Sequence, residues 1–283
     1  MARWANVCAG PRMQGNRVCA CTCAAVLDAG YGTLNKLEIN TKSDLNGLTN
    51  LKTTFLRTAA DSISAVLRAS TSYKGVDFTG TVDAGGTVLA KAFKEDVIDG
   101  VDLTIETSLA GGAKIADIAT PKLTADYNAG DIAASVAVAG STLDASATYT
   151  AGDACVGAST TYDSAMGTLG DPSVAASYSL GDTVMTGMMK GLNADDITAT
   201  VSHFVSDDLS VAGTFASRDS SFSLGAAYTI DPDSSAKAKI NSDGVLNVGY
   251  ARKLTSGASM NAGLEVDTNN MDSRKLGVSL KVG

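Results

Sequence analysis

Residues 275–283 read "KLGVSLKVG". Leu276, Val278, Leu280 and Val282 alternate with Lys275, Gly277, Ser279 and Lys281. Successive side chains of an extended chain point to opposite faces, so this stretch has one aliphatic face and one polar face. A strand of this kind must be paired or covered at its edges. The chain offers a matching strand near its other end, "NKLEINTK" (35–42), where Leu37 and Ile39 alternate with Lys36, Glu38 and Asn40. The expectation is that the two lie side by side.

The same alternation recurs along the chain. "VDFTGTVD" (76–83) sets Val76, Phe78 and Val82 against Asp77, Thr79, Thr81 and Asp83. "VDLTIETSL" (101–109) sets Val101, Leu103, Ile105 and Leu109 against Asp102, Thr104, Glu106 and Ser108. "TLDASATY" (142–149), "FSLGAAYTI" (222–230) and "SMNAGLEVD" (259–267) repeat the pattern. Strict period two marks strands with one apolar and one polar face. Turn signals separate the runs, among them "DAGG" (83–86), "NAGD" (128–131), "TAGD" (150–153), "SRDS" (217–220) and "NSDG" (241–244). Spacing this short leaves no room for crossover helices and implies antiparallel hairpins, about nineteen strands from Leu34 onward.

That number selects an architecture. Sandwich strands average about 5–6 residues, whereas a tilted strand crossing a bilayer takes about 9–11. Here the clear runs reach eight to ten residues. An open sheet of this size would curl or split. Closure removes its edges, leaving an apolar outer belt and a polar, wet lumen. Asp102, Glu106 and Asp144 fit such a lumen and would be costly in a packed core. The expected fold class is therefore all-β: a transmembrane β-barrel of about nineteen strands.

Composition excludes several classes. The net charge is −8 and the pI about 4.6. A nucleic-acid binder should be basic, so that partner is excluded. The first 27 residues hold Arg3, Arg12 and Arg17 and no acid, so the rest carries 19 Lys and Arg against 30 Asp and Glu. Fixed charges lining a pore bias ion entry. The expectation is weak anion preference, or cation preference. Four of the five cysteines fall at Cys8, Cys19, Cys21 and Cys23, which argues against a secreted disulfide scaffold. The most apolar run, "VCACTCAAVL" (18–27), is too short to cross a membrane as a helix and lacks the flanks of a secretory signal. Its "CACTC" lacks zinc-ribbon spacing and reads as small apolar residues, with no metal site. His203, the sole histidine, has no nucleophile elbow beside it and reads as a residue near a strand end. "DPD" (231–233) lacks the calcium-loop pattern and reads as a turn. No catalytic site, cofactor or metal is expected.

Several stretches resemble the mitochondrial porin family, the voltage-dependent anion channels. They are "YGTLNKLEINTKS" (31–43), "GVDLTIETS" (100–108), "SFSLGAAYTIDPDSSAKAKINSDGVLNVGYARKL" (221–254) and the closing "KLGVSLKVG". The resemblance implies a nineteen-stranded barrel whose first and last strands pair in parallel. It also implies a voltage-gated pore of the mitochondrial outer membrane, passing small anions, cations and metabolites including nucleotides. The organisation becomes an N-terminal segment, 1–33, partly helical and placed in the lumen, and a barrel, 34–283. In the family the N-terminal helix carries basic residues that meet nucleotides; at the matching positions this chain has Cys21, Ala24 and Ala29. The family's nucleotide-contacting stretches map to Val245, Leu246 and Asn247, and to Gly263, Leu264, Glu265, Val266 and Asp267.

Pore-lining residues are expected at Lys36, Glu38, Lys42, Asp77, Asp83, Asp102, Glu106, Asp144, Lys275 and Lys281. Lys275, Gly277, Leu280 and Val282 also resemble the sorting signal that mitochondrial barrels present to their insertion machinery. The expected partners are thus the lipid bilayer, the solutes in transit and that machinery; homo-oligomer formation stays open. The rival readings are a protein-import channel of the same barrel family and a secreted β-rich adhesin. A bacterial outer-membrane porin is disfavoured for want of a signal peptide.

Overall fold

A computed structural model describes residues 26–27, 31–32, 35–42, 48–57, 63–113, 118–191 and 196–283. Val26 and Leu27 are helical. Cys19, Cys21, Cys23 and the positions of Ala24 and Ala29 lie outside the described residues. The chain divides into two compact units.

One unit comprises residues 34–149, 158–172 and 279–283. It holds β1 (Lys36–Lys42), β2 (Leu48–Arg57), β3 (Ile63–Tyr73), β4 (Val76–Asp83), β5 (Val88–Ile98), β6 (Val101–Leu109), β7 (Lys122–Ala129), β8 (Ile132–Ala139), most of β9 (Thr142–Ala151), part of β10 (Ala154–Asp163) and the stub β11 (Thr168–Leu169). β1 to β9 pair antiparallel in sequence order. The tight turns use glycine with φ near +60° to +77°, as at Gly75, Gly130 and Gly140. A side chain there would strain the backbone.

The other unit comprises residues 1–33, 150–157 and 173–278. Its strands are β12 (Ser173–Leu180), β13 (Thr183–Lys190), β14 (Ile197–Phe204), β15 (Leu209–Ala216), β16 (Ser221–Asp231), β17 (Ser234–Asn241), β18 (Val245–Thr255), β19 (Ala258–Asp267) and most of β20 (Asn270–Val282). They form an antiparallel meander.

Nineteen strands run from seven to thirteen residues, with the two-residue β11 as an addition on β10. Each of the nineteen bonds to the next, β10 bonding β12 past the stub. The expected seam is present: β1 and β20 pair in parallel, Lys36↔Ser279, Leu37↔Leu280, Glu38↔Lys281 and Ile39↔Val282. The last strand thus bonds the first, and the fold is an all-β barrel, close to the strand number read from the pattern.

The register keeps like faces together. Leu37 stands opposite Phe55 and Leu280, while Glu38 stands opposite Thr54 and Lys281. Phe215↔Phe222 and Leu224↔Ile240 share a row, and Thr214↔Ser223 and Gly225↔Lys239 share the other. A one-residue slip would exchange the two faces wholesale. The apolar row is exposed in the isolated chain: Leu224 is 55% accessible, Ile105 43% and Leu67 44%. Large aliphatic side chains in this number on a water-facing surface would be an aggregation hazard; against lipid they are the required lining.

The face assignment has a direct test. Leu224→Lys should destabilise the barrel refolded in lipid vesicles by about 2–4 kcal/mol, whereas its neighbour variant Ser223→Lys should cost under about 1 kcal/mol. Equal losses in urea unfolding of the two variants would refute the assignment.

Candidate functional site: the polar face and its N-terminal anchor

Strand alternation places the residues expected to line a pore on the polar rows of their strands. In the unit containing β1 to β9, the polar rows hold Lys36, Glu38 and Lys42 of β1, Asp77 and Asp83 of β4, Asp102 and Glu106 of β6 and Asp144 of β9. Lys281 stands opposite Glu38. In the other unit Lys275 shares its face with Glu265, their side chains 2.7 Å apart.

These residues do different things. Asp83 accepts a hydrogen bond from the Thr87 amide at 2.8 Å and caps its turn. Asp102 accepts from the Asp96 amide at 3.0 Å, and Asp144 from the Thr161 hydroxyl at 2.6 Å. Glu106 pairs with Lys91 at 3.1 Å. Glu38 is the most enclosed, its side chain only 7% accessible. Its carboxylate meets the ammonium groups of Lys52 at 2.9 Å, Lys36 at 3.0 Å and Lys281 at 3.8 Å. A carboxylate so enclosed would be costly unpaired, and the lysines supply the compensation.

Charge is sorted along this face. β1 to β3 present Lys36, Lys52 and Arg68 with Glu38, whereas β4 to β9 carry Asp77, Asp83, Asp102, Glu106, Asp126 and Asp144 against Lys91 and Lys122. In the other unit Lys237, Lys239, Lys253 and Lys275 outnumber Glu265 and Asp267 on the polar rows of β17 to β20. Much of the acidity resides in turns instead, at Asp99, Asp131, Asp153, Asp182, Asp207, Asp208, Asp219 and Asp243 among others. Asp219 is held below the usual carboxylate range chiefly by the Ser221 hydroxyl, which donates to it at 2.7 Å.

The polar face of β15 to β17 is not bare. Val26 and Leu27 are buried and cluster with Ala212 and Ala227. The Lys239 ammonium donates to the Leu27 carbonyl at 2.7 Å and lies 5.0 Å from the centre of the Tyr31 ring. The Tyr31 hydroxyl donates in turn to the Val26 carbonyl at 2.6 Å. A cation at the end of a helical turn satisfies a carbonyl that has no intrahelical partner. Two glycines make room: a Cβ on Gly225 would sit 2.8 Å from Leu27 Cδ2, and one on Gly263 would collide with the Gly32 backbone. Glycine inside a strand often marks such a close backbone approach.

The two stretches carried over as nucleotide-contacting split by alternation. Asn247, Gly263 and Glu265 lie on the polar rows with Val245 and Asp267, whereas Leu246, Leu264 and Val266 lie on the apolar rows. Only the former share a face with Lys239. His203 lies at the end of β14 on the apolar row, its Nδ1 2.9 Å from the Thr183 hydroxyl. Asp231 accepts from the Asp233 amide at 2.8 Å, a turn as expected. Cys155 is a free thiol in β10. Among the described residues no group of histidine, cysteine and carboxylate side chains is placed to hold a metal. Sequence reasoning passed over Lys239, Tyr31 and Lys52. The mid-strand Gly225 and Gly263 were the available signal for the first two.

A closed barrel, antiparallel except at the β1–β20 seam, with an apolar outer row and a charged inner row defines a class: membrane-spanning β-barrels. The family model "Eukaryotic porin" matches residues 19–277, and the chain belongs to that family. The voltage-dependent anion-selective channel of Drosophila melanogaster is 35% identical over 63 residues, a stretch covering 22% of this chain and 22% of that protein. The chain thus aligns with about a fifth of that relative's length. Among solved structures, a triple mutant of the Rhodopseudomonas blastica porin covers 88% of this chain and 95% of its own at 10% identity, with a TM-score of 0.47. A loop-deleted OmpT, an outer membrane protein of Vibrio cholerae, covers 82% and 91% at 12% identity, with a TM-score of 0.36. Likenesses at these scores add nothing to the family assignment. The chain is thus a β-barrel of the eukaryotic porin family, and that family points to a pore without enzymatic chemistry.

The anchor can be tested by Lys239→Met, which removes the hydrogen bond and the ring contact while keeping length. Losing a charged hydrogen bond worth about 1.5–3 kcal/mol should raise tryptic cleavage within the first 33 residues about tenfold or more, with the barrel still folded. Unchanged cleavage would show that Lys239 does not hold the segment.

Proposed function

We propose that the chain is a voltage-gated pore of the mitochondrial outer membrane, with passive diffusion of ions and small metabolites, nucleotides included. The observation that carries this reading is the anchored segment on the polar face. A barrel whose wet face also carries a docked, partly helical segment has a wall and an element that can narrow the passage. The segment 1–33 is read as that element and 34–283 as the barrel. The ten polar-row residues named above are read as its lining, with Val245, Asn247, Gly263, Glu265 and Asp267 as the subset of the carried-over nucleotide contacts that shares the lining face. Family membership disfavours the secreted adhesin. The resemblance of the 31–43, 221–254 and 275–283 stretches supports the mitochondrial address and voltage gating.

Planar-bilayer recording of the refolded protein tests the pore. Stepwise conductance that falls at high voltage of either sign is expected, and absence of conductance would defeat the reading. Selectivity should be weak, because basic and acidic rows face the same passage and the acidic excess is held largely in turns. In a tenfold KCl gradient the reversal potential should stay well below half the limit of about 59 mV. Strong preference for either ion would contradict this.

The membrane address is separately testable. Gly277 is buried in β20 while Leu280 and Val282 continue the apolar row of the seam. Replacing Gly277, Leu280 and Val282 together by glutamate should abolish assembly into isolated mitochondria. Normal, carbonate-resistant insertion would remove the sorting signal from the proposal.

A further inference from the structure

The lysines around Glu38 are too many for one carboxylate. Lys36, Lys52 and Lys281 all approach it within 3.8 Å, from β1, β2 and β20. Arg68 of β3 stands directly across the ladder from Lys52. Four cations therefore face one anion, an excess of three positive charges, in a chain whose net charge is −8. Repulsion among them should scatter such side chains. Here the enclosed carboxylate draws three ammonium groups together, while Lys36, Lys52 and Lys281 stay 35%, 38% and 52% accessible. Each ammonium has three donors; Lys36 and Lys52 each spend one on Glu38, and Lys281 at 3.8 Å spends none. Among the described residues these three lysines form no ion pair with another carboxylate.

We propose that this seam cluster is a binding station for polyphosphate anions, with Glu38 as the resident anion against which a ligand competes. Adjacent strands lie about 4.8 Å apart, so four successive strands spread the cations over a length that suits several linked phosphates better than one. Lysine ammonium groups bind phosphate as compact point charges, and Arg68 adds a planar donor fork. The cluster shares no residue with the family-derived stretches at 245–247 and 263–267. This inference rests on the polar face being the solvent-filled one, as in the proposed pore.

The probe is inorganic tripolyphosphate, added to the full-length refolded protein. Two readouts are used: reduction of KCl current in planar bilayers, and broadening of the phosphorus resonance by protein in lipid nanodiscs. Lys52→Gln combined with Lys281→Gln should raise the half-effective concentration about tenfold, and Arg68→Gln about threefold. Glu38→Gln should lower it about threefold, because it removes the competing anion. That sign separates a binding site from a seam clamp, whose loss could only weaken the protein. Lys122→Gln, on β7, should change nothing. If the double variant fails to fold, Arg68→Gln and Glu38→Gln carry the test. No effect of tripolyphosphate at about 10 mM on either readout, or weaker binding in Glu38→Gln, would overturn the proposal. Broadening with the expected order of variants but no conductance would sink the pore and leave the site standing. Normal conductance with no difference among variants would do the reverse.

Discussion

Hydrocarbon offers backbone groups no hydrogen-bond partner, and each one left open there costs several kcal/mol. The rest of this structure follows from that constraint. A β-chain can meet it only by pairing both edges of every strand, and the last unpaired edges are those of the first and last strands. Their parallel ladder, Lys36–Ile39 against Ser279–Val282, settles the account. An odd number of long strands makes that ladder parallel, since strands one and nineteen of a meander run the same way. Side chains are then sorted by the bilayer itself: Leu37 and Leu280 to one side, Glu38 and Lys281 to the other.

The fold was legible because period two is a strong signal when repeated many times. "VDLTIETSL" and "KLGVSLKVG" each state which face meets lipid, and the ladders place those residues as the alternation requires. Thr168–Leu169 could not have been anticipated, since two residues carry no period. The site was legible only as a face. Alternation says that Glu38 points with Lys36, but not that Lys52 and Lys281 converge on it, because convergence depends on register between strands distant in sequence. The same limit hid Lys239, whose partners Leu27 and Tyr31 lie more than two hundred residues away. Net charge says little about the lining for a related reason: it sums turns and faces that act on different water.

The two anchored regions use the same chemistry to opposite ends. At Glu38 a buried anion gathers lysines, and the strands it joins are fixed parts of the sheet. At Lys239 a single cation meets a carbonyl and an aromatic face, and the segment it holds has no ladder bond to the barrel among the described residues. The first is redundant, with several partners for one charge. Among the described residues the second includes one cation and a small apolar cluster of Val26, Leu27, Ala212 and Ala227. Elements that open locally are drawn from the weakly held end of a structure.

The parallel ladder has a kinetic side as well. Every other pairing between long strands joins neighbours in sequence, so hairpins can form as soon as their residues are available. The ladder at Lys36–Ile39 instead joins positions some two hundred and forty residues apart. Bringing distant segments together carries the largest chain-closure entropy and slows folding. Until it forms, the sheet has two raw edges able to recruit any extended peptide nearby. Shielding those two edges until the Lys36–Ile39 ladder closes is therefore a requirement that the topology itself imposes on assembly.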